Sequence, residues 1–391
     1  MNDKCKSRRK LVRRLVAGFF LVMVVVAVSG CHTLGFYSQA ARGQYQIIAN
    51  EQRIDKLLAQ TQTPAQLKGR LELLERLRVF AKSNLKLPTD HHYEKYTDLR
   101  RPFVVWNVEA APEFSLQPKS WWYPLVGSLE YRGYFTHAGA TNYARSLRND
   151  GYDVSVGGVQ AYSTLGWFED PVLNTFIFES DAELAEIIFH ELGHQRLFAH
   201  GDTDFNEAFA TTVGEEGARR WLQTHGDAAS LQQYQAHLDR NMQFVHLVMS
   251  TRARLAALYG DVRGPDGKLK ASRRLTMPAE ELRRQKAQIL QQMAAQFQVL
   301  RKQWGGDPEF DGWFKHPINN AQLNSVAAYY DFVPGFEQLL ANNGGDMEQF
   351  YQAAEALSKK PKPDRHRELK ALSRIRVVAS LSAQKRLTGF N

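Results

Sequence analysis

The segment His190-Glu-Leu-Gly-His-Gln-Arg-Leu-Phe-Ala-His200 contains the pattern from which the local structure can be predicted. Upstream, Ser180-Asp-Ala-Glu183 has the form of a capping box, and apolar residues recur with helical spacing between positions 184 and 189. This pattern predicts a helix that carries the first two histidines. Because residues four apart lie one above the other on a helix, His190 and His194 can present two imidazoles to one metal ion. Glu191 is rotated by about 100° from His190, which places it at the edge of the same cleft as a candidate general base.

The motif His-Glu-x-x-His is typical of zinc hydrolases, and a catalytic zinc takes three protein ligands. Two residues compete for the third position. One is Glu207, in Phe205-Asn-Glu-Ala-Phe-Ala-Thr211, and the other is His200, which has metzincin spacing. Metzincins carry a glycine where this chain has Leu197, because the chain must turn sharply there. A left-handed backbone costs a non-glycine residue about 1–2 kcal/mol, so the residue pattern weighs against His200.

Asn206-Glu-Ala-Phe-Ala210 resembles the Asn-Glu-Gly-Phe-Ala segment of the aminopeptidase-N family, and His190-Glu-Leu-Gly-His-Gln195 resembles its His-Glu-Leu-Ala-His-Gln segment. The resemblance implies a gluzincin site in which His190, His194 and Glu207 bind Zn2+ and Glu191 is the base. The chain departs from that family in three ways. The gap between the two segments is shorter, the Gly-x-Met-Glu-Asn motif is absent, and Thr211 does not match the aspartate of the thermolysin-type Glu-x-x-x-Asp pattern.

A closer overall resemblance is to bacterial lipoproteins described as predicted aminopeptidases, and it covers most of residues 40–355. It is carried by the zinc motif together with four segments: Tyr131-Arg-Gly-Tyr-Phe135, Ala161-Tyr-Ser-Thr-Leu-Gly-Trp-Phe168, Phe205 to Ala210, and Tyr329-Tyr330. The resemblance implies a zinc metallopeptidase, an aminopeptidase that hydrolyses peptides.

The first thirty residues are typical of a signal peptide, with a basic start and an apolar run that ends in Val28-Ser-Gly-Cys31. This end resembles the lipobox of bacterial lipoproteins and implies cleavage before Cys31 and lipid attachment to it. We therefore expect a periplasm-facing lipoprotein held to the membrane through Cys31. His32, rather than an aspartate, resembles the pattern exported to the outer membrane. A single uncleaved membrane anchor is the alternative.

The positive charge belongs mainly to this leading segment. Residues 1–30 carry seven Lys and Arg side chains and one acid, so the formal net charge of +9 falls to +3 without them. A balance this small does not indicate a nucleic-acid partner. The chain has only two cysteines, Cys5 and Cys31, so it has no disulfide framework or cysteine metal site outside the segment.

The sequence pattern predicts an α+β fold of the zincin-like metallopeptidase kind. We assign residues 1–30 to the signal peptide, 31–98 to an N-terminal helical segment, 99–180 to a β-rich subdomain, and 181–391 to the zinc site and a mainly helical subdomain. Within the β-rich part, Gly157 to Trp167 is the predicted edge strand that binds the substrate backbone. The local predictions are two helices in residues 40–83, a helix over Ala138–Asn149, a strand at Phe176–Phe178, a helical hairpin of Leu231–Tyr259 with Pro278–Trp304, and an exposed linker at Lys359–Arg365.

The remaining chemistry of a peptidase needs a donor for the developing oxyanion and, in an aminopeptidase, an acceptor for the substrate amine. Tyr329 and Tyr330 are the oxyanion candidates. Three carboxylates are candidates for the amine: Glu169, Asp170 and Glu179. The alternatives to an aminopeptidase are a zinc endopeptidase of the metzincin or minigluzincin kind, and a non-enzymatic lipoprotein scaffold with a structural zinc. A structural site would have no use for Glu191, which favours an enzyme.

Overall fold

The computed structural model describes residues 35–123, 127–161, 169–264, 269–271 and 277–374. The chain divides into two compact units, Met1–Asn50 and Glu51–Asn391. In the first unit, residues 35–49 form a helix, α1. The signal segment and Cys31 lie outside the described residues, and what was predicted for them stays a prediction. Among the described residues, none of the helices combines the length and the apolar character that a membrane crossing requires.

The second unit is α+β, as predicted, and its principal sheet has three antiparallel strands. β3 (Val105–Pro112) lies between β6 (Tyr131–Tyr134) and β7 (Tyr152–Val159). Side chains alternate between the two faces of a strand. One face of this sheet buries Val108 and Ala110 against helix α4 (His137–Asn149). The other face is therefore free to line the site described below.

Three smaller sheets complete the strand structure, and only the last of them follows the motif helix in sequence. Two strands of the first sheet are parallel to each other, and all other pairs are antiparallel. The sheets are β1 (Gln52–Arg53), β2 (Lys95–Thr97) and β8 (Val172–Leu173); β4 (Trp121–Tyr123) with β5 (Gly127–Leu129); and β9 (Asp261–Arg263) with β10 (Leu269–Ala271).

Helices make up most of the second unit. Those before and at the motif are α2 (Ile54–Ala59), α3 (Ala65–Ser83), α5 (Asp181–Arg196) and α6 (Thr203–His225). Those after it are α7 (Ala228–Tyr259), α8 (Ala279–Gln303), a 3-10 turn (Asp311–Phe314), α9 (Asn320–Tyr330), α10 (Val333–Asn342), α11 (Met347–Ser358) and α12, over residues 362–374.

The predicted pair of long helices is confirmed as a packed hairpin. Phe244 and Leu255 of α7 share one buried cluster with Met293 and Phe297 of α8. The predicted helix inside the β-rich region is also confirmed, as α4. Its first turn is capped by Thr136, whose side chain accepts a hydrogen bond from the Gly139 N–H.

Three local predictions were wrong. Residues 40–83 do not form only the two predicted helices, because Gln52–Arg53 pairs with β2 as a short strand and divides the first of them. The strand expected at Phe176–Phe178 is a series of turns: the Phe176 and Ile177 N–H groups both donate to the Leu173 carbonyl. Lys359–Arg365 is not an exposed linker, because it runs into α12 and Arg365 is buried.

Candidate metal centre

Helix α5 carries the two motif histidines on one face. Its start has the predicted capping box: the Glu183 N–H donates to Ser180 Oγ at 3.2 Å, and the Ser180 N–H donates to Glu183 Oε2 at 3.1 Å. The imidazole centroids of His190 and His194 lie 4.8 Å apart. Both rings therefore lie at the same side of the helix, as the four-residue spacing requires.

Helix α6 packs unusually close to α5, because glycines line the contact between them. A Cβ at Gly193 would lie 3.3 Å from the Ala210 Cα, and one at Gly214 would lie 2.9 Å from the Glu186 carbonyl oxygen. A glycine inside a helix costs about 1 kcal/mol relative to alanine. Here glycine is what permits the close approach, and the approach brings the first turns of α6 to the histidines.

The turn between α5 and α6 is held by Asn206. Its side-chain amide donates to the Ala199 carbonyl at 2.9 Å and its carbonyl oxygen accepts from the Ala199 N–H at 2.7 Å. The left-handed residue of this turn is Gly201, with φ of +71°, whereas Leu197 is extended, with φ of −151°. His200 is exposed and stacks edge-on against Phe198. The structure therefore does not bring His200 to the other two histidines.

Glu207 is the third residue that the structure brings to the histidines. Its Oε2 lies 3.5 Å from His190 Nε2 and 3.5 Å from His194 Nε2. The three potential ligand atoms all lie within 4.8 Å of one another, and among the described residues no other group of this kind occurs. Ligands at tetrahedral zinc distances of about 2.0–2.1 Å are separated by about 3.3–3.5 Å. Two imidazoles and one carboxylate are also a donor set that suits zinc.

The charges of these three residues are strongly coupled. Burial opposes ionisation of Glu207, yet the His194 and His190 imidazoles hold the pKa of this carboxyl well below its usual range. Burial also opposes the charged form of His194, but the Glu207 carboxylate outweighs it and raises the pKa of His194. Burial lowers the pKa of His190. One carboxylate thus stands between two imidazoles, of which His190 is held in the neutral form that binds metals.

Glu191 is buried beside this group, with 7 % of its surface exposed. Among the described residues, its Oε2 and the Nδ1 of His194 are buried atoms without a hydrogen-bond partner. Burial raises the pKa of Glu191 to about 8. A carboxyl group with this pKa gains and loses its proton close to neutral pH. Among the described residues, no carboxylate forms a hydrogen bond with His194 Nδ1, the ring nitrogen that does not face Glu207.

The two tyrosine candidates face different parts of the molecule. The ring of Tyr329 lies 6.4 Å from that of His190, and the nearby Glu207 charge raises the pKa of its hydroxyl well above the usual value. The Tyr330 hydroxyl instead accepts a hydrogen bond from Asn241 at 2.7 Å. The structure therefore brings Tyr329 to the metal centre and does not bring Tyr330 there.

A cavity of about 310 Å³, which we call the main cavity, opens onto these residues. One wall carries His190, Glu191, His194 and Glu207, and the other is the free face of the principal sheet. That sheet wall includes Val105, Asn107, Tyr131, Gly133 and Val159.

Tyr131 and Asn107 are site residues that the sequence analysis did not select. Burial and the charge of Glu207 raise the pKa of Tyr131, so its hydroxyl stays a donor. The period-two alternation of β3 could have indicated Asn107, which lies between two residues of the opposite face. Nothing in the sequence indicated that this face would meet α5.

The predicted edge strand is described only as far as residue 161, and residues 162–168 lie outside the described part. Val159 and Ala161 line the main cavity. A Cβ at Gly158 would lie 2.4 Å from the ring of Phe103. This glycine is therefore required by packing within the sheet, and only Gly157 has open space beside it.

The three carboxylates proposed for the substrate amine are engaged elsewhere. Glu169 pairs with Lys95 at 2.9 Å, Asp170 accepts from Gln195 at 3.3 Å, and Glu179 accepts from Gln160 at 2.6 Å. They are not among the residues that line the main cavity.

Comparison with known proteins adds one match. The model of the family described as "Putative aminopeptidase" matches residues 35–369, most of the chain. No curated protein and no solved structure is similar enough to this chain to count as a match.

Proposed function

We propose that this chain, which belongs to the family described as "Putative aminopeptidase", is a zinc-dependent aminopeptidase with a zincin-like site. The observation that carries the proposal is the group His190, His194 and Glu207, whose ligand atoms lie within 4.8 Å of one another beside the buried Glu191. A structural zinc would need the three ligands but not the adjacent base. This difference favours an enzyme over a scaffold.

His190, His194 and Glu207 would hold the ion. When bound, zinc supplies Lewis-acid chemistry that polarises a carbonyl group and makes water a stronger acid. The negative charge of Glu207 between two imidazoles provides a donor set for a divalent cation, and the unpartnered atoms at Glu191 and His194 leave capacity for further hydrogen bonds.

Glu191 is the proposed general base and acid. Its carboxylate accepts a proton from the attacking water and then gives that proton to the leaving amine. The raised pKa of about 8 suits both steps, because the group can both gain and lose a proton near neutral pH.

Tyr329 is the proposed donor to the oxyanion, and Tyr131 lies opposite it in the cavity wall. Both hydroxyls have raised pKa values, so both keep their protons while the carbonyl oxygen gains negative charge. Tyr330 has no part in this proposal, since its hydroxyl is bound by Asn241.

The substrate is proposed to be a peptide whose side chain next to the scissile bond is apolar. Much of the main-cavity wall is hydrophobic, and the polar groups converge at one end. The apolar lining residues are Val105, Leu129, Phe135, Val159, Ala161 and Phe198.

The proposal places the enzyme in the periplasm, attached to the outer membrane through a lipid on Cys31. The signal-like residues 1–30 and the Val-Ser-Gly-Cys sequence support this placement. Replacement of Cys31 by serine should leave an unprocessed precursor. Unchanged maturation and fractionation of that variant would contradict the assignment.

A peptide library tests the proposed activity. The zinc-loaded full-length chain should release single N-terminal residues, with Glu191→Gln as the inactive control, and mass spectrometry identifies the products. Internal cleavage would mean a zinc endopeptidase. Absence of any cleavage by a zinc-containing chain would favour a scaffold.

A further inference from the structure

A second, smaller cavity adjoins the metal centre on the side of the principal sheet. It has a volume of about 30 Å³, which is enough for one or two water-sized groups. Asn107, Tyr131, Thr203, Glu207 and Tyr329 line both this small cavity and the main cavity. The small cavity is therefore an extension of the same site beyond Glu207.

Glu109 of β3 lines the small cavity, and its position follows from the strand register. Residues two apart on a strand share a face, so Glu109 lies on the same face as Asn107, two residues further along β3. Tyr131 is directly opposite Glu109 in the pairing of β3 with β6. Glu109 thus projects from the sheet wall toward the end of the site at Tyr329.

Within the part of the chain that the structure describes, the Glu109 side chain forms no hydrogen bond and no ion pair, so its carboxylate has no counterion there. A second acid, Glu130, which directly precedes β6, lines the same cavity. Burial, with the charge of Glu130 added, raises the pKa of Glu109 to about 8. A partly buried carboxylate without a partner costs free energy, and a cation of the substrate would remove that cost.

The helix on the far side limits what the small cavity can hold. Ala321, Asn324, Ser325 and Ala328 of α9 line it there. A volume of about 30 Å³ accommodates an ammonium group but leaves little room for a further amino-acid residue. The occupant should therefore be small and positively charged.

We propose that Glu109 binds the α-ammonium group of the substrate and thereby restricts the site to N-terminal residues. This inference rests on the proposed peptidase function and adds the group that would make it an aminopeptidase. In a peptide, the α-nitrogen lies two bonds, about 2.5 Å, from the carbonyl carbon that is attacked. The carboxylate that holds it must lie close to the metal ligands, and the small cavity shares Glu207 with the main cavity.

The test measures binding and turnover separately, using the full-length zinc-loaded chain. Calorimetry compares leucinamide with N-acetyl-leucinamide, and kinetics compares a leucine-initiated peptide with its N-acetylated twin. Each measurement uses the wild type, Glu109→Gln and the control Glu179→Gln. The control removes a carboxylate that accepts from Gln160 and does not line either cavity.

We expect Glu109→Gln to weaken leucinamide binding and to raise KM for the free-amine peptide by about 10- to 100-fold, in line with loss of a charge-assisted hydrogen bond. Binding of the acetylated compounds, zinc content and Glu179→Gln should stay at wild-type values. Equal losses for both members of each pair, or no loss at all, would overturn the assignment of Glu109. Normal discrimination in binding without any hydrolysis would instead overturn the proposed peptidase function and leave the ammonium site standing.

Discussion

Two buried carboxylates, Glu191 inside α5 and Asp202 at the start of α6, have opposite environments. Glu191 has one oxygen without a partner, and burial raises its pKa to about 8. Asp202 is 1 % exposed, and burial would raise its pKa as well. Its cationic neighbours nevertheless hold that pKa at about 2.

The neighbours of Asp202 come from helix α12. Arg365 donates to Asp202 at 2.6 Å, His366 lies at 2.8 Å, and Lys362 lies at 3.0 Å. Lys362 also donates to the carbonyl of Gly201 at 3.0 Å. Helix α12 thus anchors the turn that precedes Glu207.

The comparison separates two uses of a buried acid. At Asp202 the charge is neutralised, so it fastens two distant parts of the chain. At Glu191 one carboxyl oxygen has no hydrogen-bond partner among the described residues, which costs stability but keeps the group able to exchange protons. A buried acid in a structural ion pair therefore has charged partners within the protein, whereas a functional buried acid lacks them.

The largest effect should come from Asp202→Asn. Removing one partner of a buried ion pair leaves Arg365 and its neighbours with uncompensated charge, which typically costs about 3–5 kcal/mol of unfolding free energy. Urea titration measures it. Asp55→Asn, in an exposed pair with Arg53, is the control and should have much less effect. Similar losses of unfolding free energy in both variants would mean that the buried ion pair stabilises the protein no more than an exposed one.

Glu191→Gln should lower activity rather than stability, the opposite of Asp202→Asn. We expect hydrolysis to fall by at least about 100-fold because the general base is lost, while zinc content and unfolding free energy stay equal to or above those of the wild type. A gain of stability would follow because the neutral amide removes the cost of ionising a buried carboxyl group. Comparable turnover in the variant would rule out the proposed role.

The stabilisation by Asp202 should depend on pH. Its folded-state pKa of about 2 lies below the ordinary value of 3.8, so its contribution is fully present above about pH 4 and is lost as pH falls toward 2. The difference in unfolding free energy between the wild type and Asp202→Asn should therefore shrink by about 2 kcal/mol over that range. A difference independent of pH would mean that the carboxylate charge is not involved.

The smallest effect concerns the tyrosines. Tyr329→Phe should lower kcat by about tenfold or more, through loss of an oxyanion donor, while Tyr131 can still donate. Tyr330→Phe should leave kcat nearly unchanged, because its hydroxyl binds Asn241. Peptide hydrolysis by both variants gives the two kcat values. A larger fall in kcat for Tyr330→Phe would assign the oxyanion donor to Tyr330 instead of Tyr329.

The parts of the site that sequence analysis could predict are those set by short-range spacing. The capping box, the helix and the two histidines follow from residues within one segment. Glu207 was proposed from a local motif, and the structure places it beside both histidines. The α+β class followed from the change of pattern near residue 180.

Contacts between distant segments could not be predicted. Asp202 and Arg365 are 163 residues apart, and the basic run around Arg365 has the composition of a solvated linker. Likewise, Glu109 lies on β3 and Tyr131 on its neighbour β6, and neither strand shows in its sequence that it faces the metal centre. Their positions depend on how the sheet packs against the helices, which requires the tertiary structure.

Zinc stoichiometry tests the central claim most directly. The wild type and His200→Ala should each bind one zinc ion per chain, measured by elemental analysis after metal loading and desalting, while Glu207→Gln should retain much less than one. Circular dichroism of each variant controls for folding. If His200→Ala lost the zinc and Glu207→Gln kept it, the metal centre described here would be contradicted.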